Sequence, residues 1–136
     1  MRVENAVYTT PEKIKSLTGD GAADGPIAML NLLKFRAKAV YKDGRPDQIS
    51  GREAYMRYLN AMRTIVEGAG GRFTFGGRLE RLVIGEAEEL WDMVGIVEYP
   101  SRAVFQKLVM SPEVQAISVH REAGLAGQLL ILTTSV

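Results

Sequence analysis

PIAMLNLLKFR, residues 26–36, predicts a β-strand that is apolar on both of its faces. Pro26 suits the first position of a strand, and apolar residues follow at odd and even positions alike. A strand with one face in water alternates apolar and polar residues, so this strand is expected to be buried on both sides. Any sheet that contains it needs cover on each face.

Helix signals lie on both sides of this strand. Upstream, Thr10 caps a short helix that Gly19 ends, and the connector GDGAADGP follows. Downstream, residues 37–50 are polar and predict a long loop or a short hairpin. Ser50 and Glu53 then form a capping box, S-x-x-E, which predicts that a long helix begins here.

The rest of the chain predicts a hairpin, two helices and a final strand. Residues 71–85 and 90–100 predict two strands joined by the acidic turn GEAEE. Ser101 and Ser111 are predicted to cap the two helices, and QLLILTT, residues 128–134, predicts the last strand.

The resulting order, β-α-β-β-α-α-β, is typical of the ferredoxin-like split βαβ fold, an α+β class. We expect residues 25–136 to form this single domain, with an antiparallel or mixed four-stranded sheet and helices on one face. Residues 1–24 are expected to form a helical extension.

Helices on one face leave the other face of such a sheet uncovered. An apolar surface of this size is a liability in a monomer, so we predict a homodimer in which two sheets pack face to face into an α/β barrel. Cover by the N-terminal helix and the loop 37–50 is the alternative.

Composition excludes several classes of protein. The 136 residues carry a net charge of +1 and no cysteine. The balanced charge argues against nucleic acid as a partner, and the missing thiols fit a cytoplasmic protein. No signal peptide or membrane-spanning run is visible. One histidine without cysteine supplies no set of metal ligands, so neither a metal nor a cofactor is predicted.

Four segments resemble the family called domain of unknown function 1330, and the likeness runs from residue 25 onward. They are GPIAMLNLLKFR, GREAYMRYLNAM, WDMVGIVEYPSRAVFQKLVMSPEV and HREAGLAGQLLI. The family is similar in fold to the dimeric α/β-barrel superfamily. The resemblance therefore implies the fold and the dimer, and it implies no specific reaction.

His120, the single histidine, lies near the end of a predicted helix. A partly positive imidazole is favoured there by the helix dipole, which is a purely structural role. His120 also follows the apolar Ile117 by three residues, so it is a candidate catalytic acid or base that points into a cavity.

Asn31 interrupts an apolar strand and is a candidate ligand anchor, or else a structural hydrogen-bonding group. Lys34 and Arg36 follow it in a segment, 31–63, with eight Lys or Arg and three Asp or Glu. Such an excess favours an anionic ligand at a pocket mouth, or is simply a solvated surface.

Aromatic residues supply candidate walls for an apolar pocket. Trp91 and Tyr99 are predicted to line it, although both also suit a dimer core. Arg78, Asp92 and Glu98 are candidate polar partners; Glu98, between apolar neighbours, is expected to be paired or shifted in pKa.

Two functions follow from these residues. One is an enzyme that acts on a small, partly apolar or carboxylated molecule by proton transfer or cofactor-free oxygen chemistry, with His120 as acid or base and Asn31 as anchor. The other is a non-catalytic module that binds a small ligand. Haem-degrading relatives of the superfamily carry Asn, Trp and His in the order of Asn31, Trp91 and His120. His120 lies too far beyond Trp91 for that pattern, which disfavours haem.

Overall fold

The computed structural model describes residues 2–19 and 24–136, so residues 20–23 of the predicted connector lie outside the described residues. Four strands form one antiparallel sheet in the order β2-β3-β1-β4. The elements are α1 (Pro11–Lys15), followed by a 3-10 turn (Ser16–Thr18), β1 (Ile27–Phe35), α2 (Gly51–Gly68), β2 (Arg72–Arg78), β3 (Met93–Tyr99), α3 (Arg102–Val109), α4 (Pro112–Gly124) and β4 (Leu125–Thr133). This order and topology define a ferredoxin-like α+β fold, as predicted.

The capping residues begin the helices as predicted. The Ser50 hydroxyl accepts a hydrogen bond from the Glu53 N–H at 3.0 Å, and the Glu53 carboxylate accepts one from the Ser50 N–H at 3.3 Å. Both halves of the capping box at the start of α2 are therefore present. The side chains of Thr10, Ser101 and Ser111 cap α1, α3 and α4.

The hairpin between β2 and β3 differs from the prediction. The last residue pair of the ladder joins Arg78 to Met93, and residues 79–92 form an irregular loop. The apolar residues Val83 and Ile84, expected in a strand, are 89% and 91% exposed. Apolar side chains favour a strand only where a neighbouring strand or helix can bury them, and this tip has none among the described residues.

The N-terminal segment and the loop 37–50 both pack on the helical side of the sheet. Gln106 of α3 hydrogen-bonds with Thr18 and with the carbonyl of Ile14. In the loop, Tyr41 is buried against Ala54 of α2 and Ala123 of α4. Within the described residues, the N-terminal segment reaches the opposite face only at the edge of β4, where Asn5 lies against Gly127, and most of that face stays uncovered.

The two faces of the sheet have different surroundings. On the helical side, Met29 of β1 packs in the core with Met62 and Val66 of α2. The opposite side, here called the open face, is half-buried or exposed although it is apolar. Residues of the open face include Ala28, Leu30, Leu32, Phe75, Val94, Ile96, Leu129 and Ile131.

A close backbone contact joins β1, α2 and α4. The N–H of Arg36 donates to the carbonyl of Gly124 at 2.8 Å, and the N–H of Gly51 donates to the carbonyl of Arg36 at 3.1 Å. A Cβ at Gly51 would lie 2.1 Å from the Arg36 oxygen, and one at Gly124 would lie 2.3 Å from the Gly51 oxygen. Both positions therefore require glycine.

No helix among residues 2–19 and 24–136 is long and apolar enough to cross a bilayer.

We expect Gly51→Ala to lower the free energy of unfolding by about 3 kcal/mol, because the added methyl group forces two backbones apart and breaks their hydrogen bonds. Urea unfolding at a fixed protein concentration measures this.

Gly68→Ala is the matched control, since Gly68 also lies in α2 and a Cβ there meets no atom within 4 Å. This change should be neutral or stabilise by up to about 1 kcal/mol. Equal midpoints for Gly51→Ala and the wild type would refute the proposed constraint.

Candidate functional site

A cavity of about 560 Å³ lies between α2 and the part of the sheet formed by β1, β2 and β3. Its apolar wall comes from both layers: the helix contributes Tyr55, Met56 and Leu59, and the sheet contributes Leu33, Phe73, Met93 and Val97. An apolar cavity of this volume, with a few polar groups, is the usual form of a small-molecule site.

Glycines in the strands form part of the cavity wall. Asn31 of β1 pairs with Gly95 of β3, which pairs with Gly76 of β2, so this row carries a single side chain across these three strands. A Cβ at Gly95 would meet no atom within 4 Å. The row therefore leaves space where two further side chains would otherwise stand.

Three arginines line the same cavity: Arg52 and Arg63 of α2, and Arg78 of β2. None of their guanidinium groups lies within 4.0 Å of a carboxylate of the described residues. Arg63 instead stacks over the Phe73 ring, 5.4 Å from its centroid. The cavity therefore presents positive charge that the protein itself does not pair.

A second cavity of about 390 Å³ shares Arg52, Arg78 and Asp92 with the first and adds Arg36. Asp92 is the only carboxylate among the described lining residues of either cavity. One of its oxygens accepts a hydrogen bond from the Phe35 N–H at 2.7 Å. Arginine therefore dominates the charge where the two cavities meet.

The predicted site residues fall in different places. Asn31 lines the first cavity and Arg36 the second, whereas Lys34, Trp91 and Tyr99 line neither. Lys34 forms an ion pair with Glu89 at 2.7 Å. Trp91 lies half-buried in the hairpin loop, outside β3.

The other predicted polar and aromatic residues have partners within the protein. Tyr99 lies in the core, where it stacks edge-on against Phe105. Glu98 is paired, as expected, with the guanidinium of Arg72 at 2.7 Å.

Sequence reasoning missed the residues of α2 and the strand glycines. Positions 52, 56, 59 and 63 follow one another at helical spacing and therefore share a face, which mixes two arginines with apolar residues. Glycines 76 and 95 lie inside predicted strands, where glycine often marks the close approach of a ligand. Together these two signals indicate the cavity.

His120 contacts the loop 37–50. Its Nδ1 lies 2.7 Å from the Tyr41 hydroxyl, and the two rings meet edge-on. Arg57 donates to the same hydroxyl at 3.4 Å and pairs with Asp47 at 2.5 Å. His120 lines neither cavity, whereas Asn31 lines the first, so the structure does not bring the two residues together: α4 turns His120 towards the loop, while Asn31 points from the sheet towards α2.

Burial lowers the pKa of His120, and the nearby Arg45 and Arg57 lower it further. Burial raises the pKa of Tyr55 on the cavity wall, which makes its hydroxyl still harder to ionise, and a protonated hydroxyl can donate a hydrogen bond.

These features define a ferredoxin-like domain with an arginine-lined cavity between helix and sheet. The family described as domain of unknown function (DUF1330) matches residues 45–135. The chain belongs to this family.

Two solved structures resemble the chain over nearly its full length. The RPA0582 protein from Rhodopseudomonas palustris, described as of unknown function, is 32% identical with a TM-score of 0.84, and 98% of each chain is covered. Methylated RPA0582 protein is 34% identical with a TM-score of 0.85, and 97% of this chain and 96% of that chain are covered.

A dabb family protein with a ferredoxin-like fold from Mesorhizobium loti is 15% identical with a TM-score of 0.48, over 82% of this chain and 98% of that one. No curated protein matches the chain.

We expect the stability of the fold to decrease as the pH falls below about 6.5, the ordinary pKa of histidine, because the folded state lowers the pKa of His120 and so disfavours its charged form. The unfolded chain takes up the proton first, so protonation favours unfolding. Urea unfolding at about pH 7.5 and about pH 5 measures this change.

His120→Gln should reduce that loss of stability, since glutamine does not titrate. Carboxylates titrate equally in both proteins, so the difference between them isolates the histidine. An identical loss of stability in the wild type and in His120→Gln would show that His120 does not cause the pH dependence.

Proposed function

We propose that the chain binds a small, partly apolar carboxylate in the cavity between α2 and the sheet. One observation carries this proposal: Arg52, Arg63 and Arg78 line an apolar cavity without a carboxylate partner among the described residues. All three side chains are exposed at the mouth of the cavity, where a guanidinium can match a carboxylate with two parallel hydrogen bonds.

The two ends of the cavity suggest how such a molecule is oriented. Arg52 and Arg78 lie where the two cavities meet, and Arg36 adds a third guanidinium there. The carboxylate belongs at this end. The apolar part belongs over Gly95, where the sheet carries no side chain.

Binding is proposed here in place of acid–base catalysis by His120. A catalytic acid or base must come within hydrogen-bonding distance of the reacting molecule. His120 lines neither cavity and contacts Tyr41, which packs against α2 and α4.

We also propose a homodimer through the open face. Leu30 pairs with Ile96 on one side and with Ile131 on the other, so the middle of this face is apolar across three strands. Opposite charges, as in the pair Arg72 and Glu98, lie at its rim. A twofold contact between identical faces buries the apolar centre and leaves these paired charges at its edge. We further propose that the protein is cytoplasmic, which fits its lack of cysteine.

We expect 4-ethylbenzoate to bind and to raise the melting temperature, whereas 4-ethylbenzamide, which is neutral, should not. Arg52→Gln combined with Arg78→Gln should weaken binding of the benzoate at least about tenfold, because each charge-assisted hydrogen bond contributes about 1.5–3 kcal/mol. Isothermal titration calorimetry measures the affinity.

Gly95→Leu should abolish binding, since a Cβ there meets no atom within 4 Å and the longer side chain would extend into the cavity. Arg81→Gln is the matched control, because Arg81 is exposed and lines neither cavity. Equal affinity for the benzoate and the benzamide would contradict the proposed function.

We expect sedimentation velocity to show a dimer at micromolar concentration and Leu30→Lys to convert it to a monomer, because a charge at the centre of an apolar contact lacks a partner. Ala103→Lys, on an exposed position of α3, should remain dimeric. A monomeric wild type would end the dimer proposal.

A further inference from the structure

A series of three hydrogen-bonded side chains connects α4 to the cavity. One nitrogen of Arg121, Nη1, donates to the carbonyl of Val7 at 2.6 Å and lies 3.0 Å from Oε1 of Gln128. Gln128 of β4 in turn donates through Nε2 to Oδ1 of Asn31 at 3.0 Å. Arg121 and Gln128 are half-buried and line neither cavity, while Asn31 lines the first.

The direction of these hydrogen bonds follows from Arg121. A guanidinium has donors and no acceptor, so Gln128 must turn its oxygen towards Arg121. The Gln128 amide nitrogen then faces Asn31, which must present its own oxygen to accept. Arg121 therefore sets the donor-to-acceptor direction of both hydrogen bonds that follow it.

This order leaves the Asn31 amide nitrogen on the side of β3. Its contacts there are the carbonyls of Gly95 and Met29, each at 3.4 Å, which is long for a hydrogen bond. Because Gly95 has no side chain, the cavity opens beside this donor. A bound molecule with an acceptor oxygen can therefore receive a shorter hydrogen bond from Asn31.

We propose that Arg121 and Gln128 are positioning residues that hold Asn31 as a donor, so that the cavity selects molecules with a carbonyl oxygen at the end away from the carboxylate. The inference rests on the proposed function, which assigns the carboxylate to Arg52 and Arg78.

The spacing of the two polar ends suits a substituted aromatic acid. Arg78 pairs with Met93, and Met93 pairs with Leu33, two residues beyond Asn31. Adjacent rows on one face of a sheet are about 7 Å apart along the strand, and β1 and β2, with β3 between them, are about 10 Å apart across the sheet. The Cα atoms of Asn31 and Arg78 are therefore about 12 Å apart. Both side chains extend into this gap, and a benzene ring with a carboxylate and a carbonyl at opposite positions spans the distance that remains.

Calorimetry with two benzoates tests the inference. The wild type should bind 4-acetylbenzoate at least about fivefold more tightly than 4-ethylbenzoate, since the two differ by the carbonyl oxygen that Asn31 would contact. In Gln128→Glu, the carboxylate has no donor, so Asn31 turns its nitrogen towards it and its oxygen towards the cavity. The ratio of the two affinities should then fall to one or below.

Arg121 provides the matched pair of variants. Arg121→Lys keeps a donor next to Gln128 and should preserve the ratio, whereas Arg121→Met removes the donor and should lower it. If Arg121 and Gln128 had a merely structural role, these variants would change the unfolding midpoint and leave the ratio of the two benzoate affinities unaltered. Comparing ratios also cancels any general effect of charge on the binding of benzoates.

The outcomes separate the two proposals. If 4-ethylbenzoate binds through its carboxylate but the acetyl compound binds no better, the positioning role is refuted and the proposed function stands. A ratio that persists in Gln128→Glu also refutes the positioning role. If neither benzoate binds, the proposed function fails and this inference fails with it.

Discussion

The backbones of Arg36, Gly51 and Gly124 meet at a point where three elements come together. Two hydrogen bonds, 2.8 and 3.1 Å long, join the residue after β1 to the end of α4 and to the start of α2. The elements can approach this closely only because two of the residues lack a Cβ. The rest of the helical layer depends on this contact, since it fixes where α2 begins and where the chain turns from α4 into β4.

With its first residue held at that point, α2 crosses the sheet with one face towards β2 and β3. That face carries Arg52 and Arg63 at its two ends and apolar residues between them. Opposite it, the sheet offers Gly95 and Gly76 in one row, so helix and sheet do not fill the space between them. The cavity is thus a consequence of where the helix starts and which strand positions lack side chains.

The sheet has a second consequence for function. β1 is apolar on both faces, and the helices cover one of them. The other face is uncovered, and we have proposed that a second copy of the chain packs against it. Its central side chains, such as Leu30 and Ile96, are adjacent to Asn31 and Gly95, which face the cavity. Substitutions in the open face and substitutions in the cavity therefore fall on the same two strands, β1 and β3.

Local signals in the sequence determined the order of elements, because caps and periodicity depend on neighbours along the chain: the Ser50–Glu53 box and the strand of residues 27–35 lie where they predict. The same reasoning identified Asn31 as a polar group in an apolar strand. Only the tertiary structure decided that His120 meets Tyr41, 79 positions away, and that Gln128 and Arg121 stand behind Asn31. Such contacts depend on how α4 and β4 pack against distant segments, and a pattern of neighbouring residues carries no record of that packing.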